Sequence, residues 1–295
     1  MNPTFSIIIP TKDRPGLLAA CLRSIAQLDF PREEYEVLVV NDGGVQSLAG
    51  VIEQLEGDLP IRYFHQPLSG GPAAARNTGA EQAGGKYLVF LDDDCYPDPL
   101  WLRALETDFL GKAKDALAGR TRNPTPEVIG AQAWCLVVAF QYHYWQDQVG
   151  NLKIAISNNF AVERQAFCDS GGFDPAYPQA ASEDRDFSWR FNEAGYRIGY
   201  SPAAVVWHAQ PDLDLFSYLK LQHRYGYYAG MQKEKQNSAT AAEFRERFGS
   251  ASRLRYLSRL LSFAVRKRAS FPVIVVVLLG HVSHFLGRVS RALEN

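Results

Sequence analysis

The chain has 295 residues, 46% of them apolar, which is enough for one large α/β domain or two smaller ones. Its 31 basic and 32 acidic residues balance, so nothing global argues for nucleic-acid binding or for electrostatic steering. Cys21, Cys95, Cys135 and Cys168 are scattered, with no CxxC and no zinc-like spacing, and read as reduced thiols of a cytosolic environment.

The opening MNPTFSIIIPTKDRP has too short an apolar run for a signal peptide, which predicts a protein on the cytoplasmic side. Strand-like and helix-like segments then alternate, the pattern of a mostly parallel sheet covered by helices. FSIIIPT (5–11) is a short buried strand, and RPGLLAACLRSIAQL (14–28) places Leu17, Leu18, Cys21, Leu22 and Ile25 at helical spacing. YEVLVVNDGG (35–44) is a strand that ends in a polar, glycine-rich loop, and IRYFHQ (61–66) is a third strand. GPAAARNTGAEQA (71–83) reads as a helix started by Pro72. KYLVFLDDD (86–94) is a further strand, and it runs straight into Asp92, Asp93 and Asp94.

Polar clusters thus fall at three strand ends: Pro10 to Asp13, Asn41 to Gly44, and Asp92 to Asp94. In an open parallel sheet those ends line one edge, where ligands bind. Adjacent carboxylates repel one another, and a cation or hydrogen-bond donors must offset that cost where they are partly buried.

The second half is less regular. It contains AQAWCLVVAFQ (131–141), NNFAVERQAFCDSGGFDPAYP (158–178), SEDRDFSWRFNEAGYRIGYSP (182–202) and AVVWHAQ (204–210). Ser182 is placed as an N-cap for a helix from Glu183 to about Ala194, with Gly195 as its stop. Glu183 and Asp184 in the first turn suit the helix dipole by themselves, so chemistry is a second use for them. A basic stretch from Arg245 to Arg268, with Glu246 its single acid, precedes ASFPVIVVVLLGHVSHFLG (269–287). That run sits at the lower length limit for a membrane span, and its basic flank suits insertion into, or lying on, an anionic inner leaflet. A buried helix or an oligomer contact is the alternative.

SIIIPTKDRPGLL, VLVVNDGG, GPAAARNTGA, YLVFLDDD, GGFDPAY and EDRDFSWRFNEAGYRIGY, in that order, resemble the family 2 glycosyltransferases with the GT-A fold. The resemblance covers roughly residues 4 to 210. It implies an α/β GT-A fold, a Rossmann-like sheet flanked by helices, with a helical C-terminal extension. The expected division is a catalytic domain at 1–215, with a nucleotide-binding half at about 1–115 and an acceptor half at about 116–215, followed by a helical region at 216–295.

The same resemblance implies an inverting transfer of a sugar from a nucleotide-diphosphate sugar, UDP first among the candidates, to a glycan or lipid-linked acceptor hydroxyl. Pro10, Thr11 and Asp13 would border the nucleoside, and Asp42 would accept a hydrogen bond from the base. An Asx-type turn before Gly43 is the other use for Asp42. Arg76 and Asn77 would lie near the diphosphate or ribose. Asp92, Asp93 and Asp94 resemble the DxD element that holds the ribose and a divalent Mn²⁺ or Mg²⁺, with His208 as a further metal ligand. Within SEDRD, Asp184 is the first choice for the catalytic base, Glu183 the second, and Asp186 has a competing i,i+4 pair with Arg190. Asp174 and Trp189 are placed at the sugar or acceptor pocket, and Phe187 in the core.

Other enzyme classes fit less well. A Rossmann oxidoreductase needs GxGxxG after the first strand, where PTKDRPG stands, and a sugar-nucleotide pyrophosphorylase needs a glycine-rich activation loop there. A binding protein that kept the fold and lost the chemistry is disfavoured because Asp42, Asp92, Asp94 and Asp184 are all present.

Overall fold

The computed structural model describes residues 3–111, 113–235 and 250–294. Arg245, Glu246 and Arg247 of the basic stretch lie outside the described residues. In chain order the elements are β1 (Phe5–Thr11), α1 (Pro15–Ile25), β2 (Tyr35–Asp42), α2 (Ala49–Glu53), β3 (Ile61–Gln66), α3 (Gly71–Gln82), β4 (Tyr87–Leu91), β5 (Cys95–Pro97) and α4 (Trp101–Gly111). They continue as β6 (Ala116–Arg122), α5 (Ile129–Tyr144), β7 (Asn151–Leu152), β8 (Asn159–Glu163), α6 (Arg164–Asp169), α7 (Glu183–Glu193), β9 (Ile198–His208) and α8 (Leu215–Lys235). Two long helices, Ser250–Arg266 and Phe271–Glu294, follow.

β1 and β4 are buried along their whole length, which is why they read as continuous apolar runs. The sheet order is β3-β2-β1-β4-β8-β6-β9-β5, with β7 pairing β9. The run β3-β2-β1-β4 is parallel, in a register that sets Ile7 beside both Val37 and Val89. Beyond β4 the sheet is mixed: β8 pairs antiparallel with β4 and β6, β9 is parallel to β6, and β5 is antiparallel to β9. The regular alternation of the first half therefore corresponds to the parallel part, and the irregular second half to the mixed part.

α1 buries Leu18, Cys21, Leu22 and Ile25, the stripe its spacing predicts. α3 lies close to the sheet because it is built of small residues; a Cβ at Gly79 would come 2.4 Å from a methyl of Ile8. The rings of Phe90 and Phe173 lie 5.0 Å apart and those of Phe173 and Phe187 5.1 Å apart. This aromatic core anchors the GGFDP loop and α7 to β4, and Phe187 belongs to it as expected.

The chain forms two compact units, one of residues 1–124 with 144–209 and one of 125–143 with 210–295. Segment 125–143, which sequence order places in the acceptor half, thus belongs with the later helices. There Phe140 packs on Tyr256 and Phe263, with ring centroids 5.1 and 5.5 Å apart. α8 and the helix Phe271–Glu294 meet through glycines: a Cβ at Gly226 would lie 1.9 Å from the carbonyl oxygen of His284, and one at Gly287 2.0 Å from that of His223. On its other side the Phe271–Glu294 helix exposes Val275, Leu278, Leu279, Val282, Phe285, Leu286 and Val289. By length and composition this helix could cross a membrane.

Candidate active site

The three adjacent carboxylates after β4 have different surroundings. Asp93 is fully buried, accepts a 2.6 Å hydrogen bond from Thr11 Oγ1 and pairs with the Arg14 guanidinium, whose Nε is 3.1 Å away. Burial pushes its carboxyl up to about 7 against the pull of Arg14. Asp92 is partly exposed and accepts a 2.7 Å bond from Arg76. Asp94 Oδ1 lies 3.1 Å from His208 Nε2, and its Oδ2 lies 3.2 Å from Arg14. Burial raises the Asp94 carboxyl, but His208 and Arg14 outweigh it and hold it below the usual range.

His208 meets Asp94 because β5 pairs with the end of β9, which sets Cys95 directly opposite His208. Asp94, Cys95 and His208 form a group with donor atoms within 4.8 Å of one another. A hard carboxylate beside an imidazole is a donor set that suits Mn²⁺, and Mg²⁺ through the carboxylate, so these side chains fit the divalent ion expected here.

Arg76 is the hub of the acidic site. Only 2% exposed, it donates to Asp92 and, at 3.0 Å, to Glu183 Oε1. Burial, reinforced by Asp184, pushes the Glu183 carboxyl up to about 7, while Arg76 opposes the rise. Asp184 is half-buried and makes no ion pair among the described residues; its Oδ1 accepts from the Arg185 backbone N–H at 2.7 Å, and burial again raises its pKa. Asp186 is buried and bonded to Arg190 Nε at 2.8 Å, the i,i+4 pair the spacing predicts. α7 spans Glu183–Glu193 and Gly195 follows in the left-handed region. Ser182 does precede it but makes no capping bond through its side chain; at φ 71° it turns the chain into the helix instead.

The other expected site residues hold loops together. Asp42 accepts from Ser69 Oγ at 2.8 Å and from the backbone N–H groups of Gly70 and Gly71 at 2.7 and 3.0 Å, satisfying the start of α3. The Asx-type turn in that loop is made by its neighbour, Asn41 Oδ1 accepting from Gly44 N–H at 2.9 Å. Asp13, with φ 53°, accepts from Gln46 N–H at 2.7 Å. Asn77 makes a reciprocal pair with the backbone of Phe173, at 2.7 and 3.0 Å. Asp174 caps its own turn through Ala176 N–H, Trp189 is half-buried on α7, and Pro10 lies within β1.

Sequence reasoning missed Arg14, Cys95 and Asn158. Arg14 carried a signal, since it follows Asp13 in the same strand-end loop. Cys95 carried the same kind of signal, as the residue after Asp94, whereas Asn158, just before β8, carried none.

Residues 6–169 match the family described as Glycosyl transferase family 2, and residues 135–288 match Glycosyl transferase family group 2. The chain belongs to glycosyl transferase family 2. It is 29% identical over 230 residues to the glycosyltransferase AglE of Haloferax volcanii, covering 76% of this chain and 72% of that one. It is 36% identical over 240 residues to the hyaluronan synthase of Pasteurella multocida, covering 70% of this chain but 24% of that protein. It also spans about half, 51%, of the Bacillus subtilis protein YdaM, at 25% identity over 71% of this chain. In fold it resembles the Pyrobaculum calidifontis mannosyltransferase PcManGT solved with GDP-Man and Mn²⁺, with TM-score 0.71 and 18% identity over 100% of this chain and 88% of that one. Residues 1–349 of S. aureus TarS, solved with UDP-GlcNAc, give TM-score 0.59 and 16% identity over 97% and 89%. By family the chain is a glycosyltransferase, and its fold is the GT-A type of these solved structures.

Proposed function

We propose that this family 2 member is a metal-dependent, inverting hexosyltransferase-like enzyme using a nucleoside diphosphate sugar, UDP-linked first among the candidates, with an acceptor in polysaccharide, glycolipid or cell-wall glycan synthesis. The convergence of Asp94 and His208, 3.1 Å apart, carries the reading. A divalent ion held by these two residues would supply Lewis-acid stabilisation of charge on the departing diphosphate. Pro10, Thr11, Asp13 and Asp42 border the nucleoside. Asp93 fixes Arg14 beside the phosphates' place, and Arg76 and Asn77 hold Asp92 and the GGFDP loop around the donor, with Asp174 and Trp189 on the sugar and acceptor side.

Asp184 is the base. Glu183 is tied to Arg76, whereas Asp184 makes no ion pair among the described residues and sits in a setting that strengthens its basicity. As the acceptor oxygen bonds to the anomeric carbon, the bond to the diphosphate oxygen breaks on the opposite face. The hydroxyl proton passes to Asp184 Oδ, so the configuration inverts with one carboxylate.

The chain is assigned to the cytoplasmic face of a membrane. The Phe271–Glu294 helix exposes one apolar stripe, with Arg266, Lys267 and Arg268 exposed just before it. Its other face is packed on α8, which carries exposed Lys220 and also His223 and Arg224. Spanning a bilayer would take those polar groups with it, so the helix lies in the interface.

Thermal unfolding against UDP, GDP and dTDP, with Mn²⁺ and then with EDTA, tests the donor site. Ligand at about 100 times its Kd adds about 2.7 kcal/mol, a shift of several degrees. A shift with one diphosphate that vanishes with EDTA and in Asp94→Ala is expected. Equal behaviour of wild type and Asp94→Ala would overturn the metal site, and a diphosphate shift indifferent to metal without turnover would favour a binding protein that lost its chemistry.

A further inference from the structure

His208 has two ring nitrogens with different partners. Nε2 lies 3.1 Å from Asp94 Oδ1, and Nδ1 lies 3.2 Å from the side-chain nitrogen of Asn158. Asn158 is 2% exposed, so its amide must find its partners within the protein. Its oxygen accepts from Thr121 Oγ1 at 3.3 Å. With the amide oriented this way Asn158 donates to Nδ1, which requires a neutral ring with its proton on Nε2, facing Asp94.

A metal ion on Nε2 needs the other tautomer. The proton must then be on Nδ1, and Nδ1–H needs an acceptor. A half-turn of the Asn158 amide supplies one: its oxygen faces Nδ1–H, and its NH₂ faces Thr121. The Thr121 hydroxyl can donate or accept, so both amide orientations keep both hydrogen bonds. Neither a carboxylate, which only accepts, nor an apolar side chain would serve both tautomers.

Resting on the metal-site reading above, we propose that Asn158 is a positioning residue that selects the His208 tautomer. With its amide one way, His208 donates to Asp94; with it reversed, the Nε2 lone pair is directed at the ion. Thr121 is the pivot that keeps its hydrogen bond through the reversal; the weak 3.9 Å bond from the Asn158 NH₂ to Cys95 Sγ is exchanged for one the amide oxygen can accept from that thiol. Asn158 and Thr121 touch neither donor nor acceptor in this assignment.

Mn²⁺ affinity of the full chain, measured by titration calorimetry, separates the possibilities. Asn158→Leu, which can satisfy neither tautomer, is expected to weaken Mn²⁺ by about 10- to 100-fold. Asn158→Asp, which accepts from Nδ1–H, is expected to restore affinity to within a few fold. Wild-type affinity in Asn158→Leu, or equal weakening in both variants, would overturn the proposal. Long-range ¹H–¹⁵N correlation of His208 in the wild type needs no variant to fold. It should report Nε2–H without metal and Nδ1–H with Zn²⁺ as the diamagnetic probe. No change of tautomer, or ligation through Nδ1, would contradict the assignment. Asp94→Ala separates the two levels: if it binds Mn²⁺ as the wild type does, the metal site itself is misplaced, whereas an Asp94-dependent site indifferent to Asn158 removes only the tautomer role.

Discussion

Asp92, Asp93 and Asp94 are neighbours in the chain, yet their partners differ: Arg76 for Asp92, Arg14 for Asp93, and His208 with Arg14 for Asp94. Their mutual repulsion is relieved by partners drawn from three distant segments. Glu183 is the residue for which titration has the clearest consequence. Its folded carboxyl is pushed up to about 7 by burial and by Asp184, against an ordinary value of 4.5. The folded state therefore holds the proton more tightly than the unfolded one. That contribution favours the fold most at pH below the ordinary value and is lost as pH rises through about 7. The melting temperature of Glu183→Gln, followed by circular dichroism, should fall less steeply than wild type between about pH 5 and 7. Identical slopes would mean that Glu183 titrates normally. Asp184→Asn is expected to lower kcat by about 10²- to 10⁴-fold while leaving nucleotide affinity within a few fold, measured by turnover and by calorimetry.

At the scale of elements, the loops that border the site are fastened to α3 by backbone rather than by surface charge. Asn77 grips the Phe173 backbone through both ends of its amide. Replacing it with alanine removes two hydrogen bonds and leaves buried backbone groups to be satisfied, so urea unfolding should show a loss of about 1–3 kcal/mol. An unchanged midpoint would place that loop's anchoring in the phenylalanine cluster alone. Gly71 is a second fastening, with φ +84° and a Cβ position 2.6 Å from the Pro178 carbonyl oxygen. Gly71→Ala is expected to cost about 1–3 kcal/mol, because both the backbone conformation and the close approach are lost. A neutral result in chemical denaturation would show that the 174–182 loop can retreat freely.

At the scale of the whole molecule, the Phe271–Glu294 helix has two faces with two chemistries. The glycine face takes α8, and the opposite stripe of Val, Leu and Phe remains exposed. Leu279→Gln combined with Val282→Gln and Leu286→Gln in the full chain should reduce cosedimentation with anionic phospholipid vesicles by at least about 10-fold, given roughly 1.5–3 kcal/mol for each buried apolar side chain. Donor hydrolysis should persist. Undiminished vesicle binding by this triple variant would reject the stripe as the lipid contact.

The sequence by itself determined the parallel strands, the helices α1, α3 and α7, the acidic triplet at a strand end and the family, because each rests on local periodicity or a contiguous motif. It also fixed the apolar character of the last helix. Only the tertiary structure decided that β8 enters the sheet antiparallel between β4 and β6, that Arg76 bridges Asp92 and Glu183, and that segment 125–143 belongs with the later helices. It alone brought Cys95 to His208 through the β5–β9 register, and Asn158 to it from the turn before β8, since such contacts join residues whose separation along the chain carries no periodic signal.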